Sequence, residues 1–260
     1  MSRGGALWIA AVVATAAAGW WQWRSGPSYP YRARIALGGA EVGVRLPRSH
    51  ETTSPARVVV PARGGSSGTL FWRRFPSEDR FAATPLAPES GALVAAIPAE
   101  PRGSKVEFYL ELGAGAASLR IPANVAETVV LRYRDPIPAS VLVAHIAVMF
   151  LAMLLGVRAG LAAVWEADRQ RGLTLLALAA LTVGGFVLGP LVQKEGFGAW
   201  WTGVPFGWDL TDNKTLVAWI GWAVAAVAVV RRWRSARWIV ALAVAIMLAA
   251  FLVPHSAVGG

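Results

Sequence analysis

The sequence predicts a membrane α-helical bundle, four C-terminal spans plus an N-terminal anchor, with an inserted all-β domain of immunoglobulin or fibronectin-III sandwich type. Three observations predict it. Residues 137–260 hold four apolar runs, each near the roughly 20 residues that cross a hydrocarbon core about 30 Å thick. A fifth apolar run follows Arg3 close to the start. Between them, residues 27–136 read as short alternating segments broken by Pro, Gly and Ser. The mean hydropathy of +0.48 averages over these two populations.

The first element, residues 1–26, is a membrane anchor or a signal peptide. Its apolar run, residues 7–21, is short for a span. Small residues at 14–18 fit a cleavage site. Trp20, Trp21 and Trp23 fit an anchor, because indole rings settle at the membrane–water interface. On either alternative, the next domain is exported.

Residues 27–136 form the expected extracytoplasmic β-sandwich. Residues 32–46 alternate around Gly38 and Gly39, a hairpin signal. Short runs follow at 57–61, 69–74, 92–97, 105–112, 117–121 and 128–133. Seven or eight short strands in about 105 residues fit a sandwich. No catalytic constellation stands out, and His50 reads as a solvated loop residue.

The helical domain, residues 137–260, is expected to span at 138–157, 173–191, 215–230 and 238–253. Arg158, Arg169 and Arg171 fall between the first two runs, and Arg231, Arg232, Arg234 and Arg237 between the last two. The positive-inside rule makes both loops cytoplasmic. The loop at 192–214 has no positive excess and falls outside. The expected setting is a bacterial cytoplasmic membrane, multi-pass, with the β-domain and C-terminus extracytoplasmic.

Composition removes several function classes. The net charge of +10 does not form one basic face, so a nucleic-acid partner is not expected. There is no cysteine. Thiolate catalysis, Cys-ligated zinc, iron–sulfur clusters and C-x-x-C-H haem attachment are therefore excluded. Hydrolase and nucleotide motifs are also missing.

The chemistry concentrates in the external loop. Residues 196–208 read GFGAWWTGVPFGW, and Asp209 and LTDNKT follow. Trp200, Trp201 and Trp208 make either an interfacial aromatic belt or a shelf for a planar ligand. The glycines allow close backbone approach. Asp212 or Asn213 fits a helix cap, whereas Asp209 and Lys214 stay open. His145 lies early in the first C-terminal span and His255 just past the last. Both imidazoles then fall at the leaflet of the Trp-rich loop. A neutral imidazole is a standard axial ligand for haem iron.

These residues resemble the haem-handling, WWD-domain membrane proteins of cytochrome c biogenesis. The likeness rests on Trp200-Trp201, Trp208-Asp209 and Lys214-Thr215 leading into the next span, with His145 and His255 on either side. It covers about residues 140–256. An extra piece, residues 202–207, separates Trp201 from Trp208. The resemblance implies haem b at the outer face with His145 and His255 as axial ligands. It implies Trp200, Trp201 and Trp208 against the porphyrin, and Asp209 and Lys214 close by. The expected activity is haem handling in cytochrome c assembly. Two alternatives stay open: a b-type haem electron-transfer protein, and a non-haem scaffold acting through its β-domain. Membrane lipid is an expected partner on every reading, and an extracytoplasmic protein is expected at the β-domain.

Overall fold

A computed structural model describes residues 2–114 and 117–253. The chain divides into two units, Pro27–Pro136 and a helical unit of Met1–Gly26 with Ile137–Gly260.

In the first unit, alternating residues make strands. They are β1 (Tyr31–Leu37), β2 (Ala40–Leu46), β3 (Ser49–Glu51), β4 (Ala56–Pro61), β5 (Ser67–Phe75), β6 (Ala82–Pro85), β7 (Ala87–Glu89), β8 (Ala92–Ile97), β9 (Lys105–Ala114), β10 (Ala117–Ile121) and β11 (Val129–Arg134). β1 and β2 close a hairpin at Leu37↔Ala40. Gly38 and Gly39 both take positive φ there, as a two-residue turn of this twist demands. β9 organises the largest sheet. One edge pairs with β5, and along the other β10 covers Leu110–Ala114 while β11 covers Lys105–Phe108. Val106, Phe108, Leu110 and Leu112 alternate inward from β9 and are buried. They join Val42, Val44, Leu46, Val58, Val60, Leu93 and Ile97 in one core.

The expected immunoglobulin-type sandwich is not what forms. That fold packs two antiparallel sheets. Here there are three, of two, six and three strands, and β3 runs parallel to β11. Alternation located most strands but not their partners. It also missed β3, β6 and β7, which have three or four residues and, in the last two, a proline.

The helical unit comprises α1 (Arg3–Ser25), α2 (Ala139–Trp165), α3 (Ala167–Thr182), a π-helical segment (Val183–Leu188), α4 (Gly189–Phe197), α5 (Leu210–Val230) and α6 (Ala236–Leu252). Four helices are long and apolar enough to cross a membrane: Arg3–Ser25, Ala139–Trp165, Ala167–Phe197 and Leu210–Val230. Only 22–33% of their most apolar windows is buried, so most of that apolar surface faces outward, as lipid solvation requires. This corrects the expected four C-terminal spans plus a separate anchor. Three C-terminal helices reach that length; α6 has 17 residues, about 25 Å at roughly 1.5 Å per residue. α1 is itself of span length and packs into the unit. It buries Ala11, Thr15, Ala18 and Gly19, with Gly19 against the Phe150 ring. The boundary after residue 157 is also corrected, because α2 continues for two more turns and carries Arg158 inside the helix.

Small residues set the packing. A Cβ on Gly156 would lie 2.5 Å from Met247 Cε and 2.8 Å from Trp222 Cζ2. One on Gly160 would lie 2.8 Å from Val244 Cγ2. Such close approach lets side chains of the neighbouring helix fill the place of the missing Cβ and adds dispersion contacts.

Gly156→Val should lower the melting temperature of the detergent-solubilised protein, by about 1–3 kcal/mol of overpacking. In the β unit, the buried Tyr133 hydroxyl donates to Pro98 O at 2.8 Å. Burial, then the Glu100 carboxylate, push its pKa up to about 12. A tyrosine raised above its unfolded value stabilises the fold below about pH 10, and that contribution is lost as pH rises through 12. Tyr133→Phe should cost about 1 kcal/mol at pH 7 and remove this alkaline step in a denaturation series.

Candidate functional site

The loop between α4 and α5 is built around one carboxylate. α4 ends at Gly198, whose φ of 85° makes the left-handed cap. α5 begins with Asp209 as N-cap, accepting from the backbone N–H of Thr211 at 2.8 Å and Asp212 at 3.1 Å. Asp212 then falls at the third helical position. From there its Oδ2 turns back to the loop and accepts from Thr202 N (2.6 Å), Gly203 N (3.1 Å) and Thr202 Oγ1 (3.2 Å). Gln193 Nε2 donates to Thr202 Oγ1 at 2.6 Å, and Val204 N to Asn213 Oδ1 at 2.7 Å. Asp209 N closes the loop onto Thr202 O at 3.0 Å. Gly207 is required there, since a Cβ would collide with that same Thr202 carbonyl.

The expected cap at Asp212 or Asn213 is thus corrected to Asp209. Both of the former fold the loop instead. The signal was present in the Asp209–Asp212 spacing, which places one carboxylate at the cap and one at the third position.

The three loop tryptophans part company. Trp201 stacks on Phe186 of the π segment at 5.3 Å and donates its indole N–H to Val204 O. Phe186 in turn meets Trp219 edge-on, and Trp219 Nε1 donates to Thr182 Oγ1. Trp200 is 54% exposed and Trp208 87% exposed, with Phe206 beside them at 81%. Lys194 Nζ sits 5.9 Å from the Trp200 ring centre and donates to Gly198 O. Lys214 Nζ donates to Val253 O at 2.6 Å and so ties α5 to the end of α6. Asp209 and Lys214 are both committed to backbone groups. Behind Lys214 lies a cavity of about 30 Å³, the size of one water molecule, walled by Gln22, Met149, Thr215 and Phe251.

His145 is the seventh residue of α2 and half-buried. Its Nδ1 lies 3.0 Å from Gly184 O. A carbonyl only accepts, so Nδ1 carries the proton and Nε2 is left with a bare lone pair. Ligating histidines show this same arrangement, with the second nitrogen held by a carbonyl or carboxylate. Gly184 is the second residue of the π segment, a feature found often at functional sites. His145 and Trp201 therefore touch the same segment, at Gly184 and Phe186. His255 lies outside the described residues. His50 is in β3, 3.2 Å from Ser54 Oγ and edge-on to Tyr133. Among the described residues no group of three or more His, Asp or Glu could hold a metal ion.

Sequence reasoning missed Gln193, Thr202, Phe186 and Gly184. Only the alignment of α4, the π segment and α5 gives these ordinary residues their roles. No family model matches the chain, and no curated protein matches it significantly.

Asp212→Ala should leave three loop donors without their acceptor and cost about 2–3 kcal/mol or more. Cleavage by chymotrypsin within residues 198–209 should accelerate. Asp209→Ala should cost only about 1 kcal/mol. Equal effects of the two substitutions would contradict this ranking.

Proposed function

We propose that the chain is an integral membrane protein that binds haem at its outer face and handles it during cytochrome c assembly. The β unit and the aromatic loop are then extracytoplasmic, in a bacterial cytoplasmic membrane. The observation that carries this reading is the His145–Gly184 hydrogen bond, which orients one imidazole with its Nε2 free. When bound, haem would supply an iron centre, and His145 Nε2 would help to hold it. His145 fits that role, and Trp208 and the half-exposed Trp200, over whose ring Lys194 sits, are the indoles that would meet a porphyrin. Trp201 does not fit as a platform, because its face is taken by Phe186. Nor does Lys214 approach a propionate without giving up Val253 O. His255 is the second ligand on this proposal.

A second reading rests on the loop's polar economy. Asp209, Asp212, Asn213 and Lys214 all bond within the chain, leaving mainly aromatic rings outward. That favours a non-haem scaffold whose loop seats the bundle at the interface and whose β unit engages a protein partner.

An absorbance spectrum of detergent-purified protein, expressed with haem supplied, separates the two. The haem reading expects a Soret band, lost in His145→Ala and in His255→Ala but kept in His50→Ala. A well-expressed parent with no band supports the scaffold instead.

A further inference from the structure

Where α2 closes and α3 opens, at the end of the helical unit opposite the aromatic loop, lies a cavity of about 280 Å³. Its walls include Trp8, Arg158, Asp168, Arg169, Leu173 and Leu176. Arg158 is fully buried, and its Nη2 donates to the Glu166 carboxylate. Its Nε and Nη1 have no protein partner. The guanidinium also sits 5.4 Å from the Trp8 ring centre. Leaving charged donors unsatisfied in a desolvated site is costly, so the free nitrogens call for an anionic oxygen.

The neighbouring charges leave room for one. Glu166 is engaged with Arg158. Asp168 lies in the first turn of α3, where the helix dipole favours a carboxylate. Arg169 is exposed on the rim and adds a second guanidinium. Guanidinium forks match phosphate oxygens, and basic pockets among membrane helices take lipid headgroups. The remaining walls are apolar, and Leu176 is 56% exposed on the outer surface. Two guanidinium groups, one with free donors, beside an apolar outer wall suit a phosphate that arrives on acyl chains.

We infer that this cavity binds a phosphate group, supplied by a phospholipid headgroup, with Arg158 as the buried donor and Arg169 as the outer one. The site is independent of haem binding at the opposite end.

The test is native mass spectrometry of the full-length protein in mild detergent after incubation with phosphatidylglycerol vesicles. One retained phospholipid per chain is expected. Arg158→Gln should abolish it. Arg169→Gln, an exposed change that should leave the lipid-free melting temperature unaltered, should reduce retention roughly ten-fold by removing a charge-assisted hydrogen bond. If Arg158→Gln fails to fold, Arg169→Gln decides alone. A parallel arm measures melting in millimolar inorganic phosphate. Stabilisation of the parent but not of Arg169→Gln, without a lipid adduct, would keep the phosphate site and name free phosphate as its source. No adduct and no phosphate effect, or identical behaviour of parent and Arg169→Gln in both arms, would overturn the proposal.

Discussion

An apolar interior offers no water to a polar group, so a polar group buried in the helical unit calls for an internal partner. That constraint orders the unit. Helices satisfy their own backbones, and the side chains follow suit: Trp219 finds Thr182, Trp222 Nε1 finds Met247 Sδ, Thr215 finds Thr211 O, and His145 finds Gly184 O. The aromatic loop obeys the same rule through Asp212, one carboxylate collecting three donors that the loop backbone and Thr202 could not satisfy among themselves. Its shape is therefore a consequence of polar satisfaction, and its exposed rings are what remains once that is done. The groups that escape the rule are informative for this reason. Among the described residues of the helical unit, Thr15 of α1 keeps one unpartnered buried atom, and Arg158, Gln170 and Thr174 keep the others, on α2 and α3.

Close packing is the second theme. Gly156, Gly160 and Gly19 let helices approach until side chains of the neighbour fill the place of the missing Cβ. Gly184 and Gly185 do the same for the π segment, toward Met149 and Thr215. The extra residue of a π turn there swings Phe186 to Trp201 while Gly184 presents its carbonyl to His145. Local backbone irregularity thus holds His145 in the arrangement of a prepared ligand.

The β unit solves a different problem. Water is at hand, so its order comes from burying one face of β9 and its partners in a single core. Its few buried charges are paired: Glu107 takes Arg73 and Thr128, and Glu100 takes Arg74. The strands fall into three sheets where a regular sandwich has two, and the short β6 and β7 each carry a proline, Pro85 and Pro88.

The sequence by itself determined where the helices and most strands lie, because apolar length and two-residue alternation are local properties. Hydrophobic runs announced the helical unit, and Gly38-Gly39 announced the β1–β2 hairpin. It also marked the aromatic loop, since tryptophan and glycine density needs no third dimension to be seen. What only the tertiary structure decided is partnership. Which edge of β9 receives β10 and β11, that α1 belongs among the C-terminal helices, that Arg158 is interior to α2, and that Asp212 folds a loop ten residues earlier all depend on contacts distant in sequence. Such contacts are chosen by the packing and polar satisfaction of the whole unit, and no single segment carries enough information to specify them.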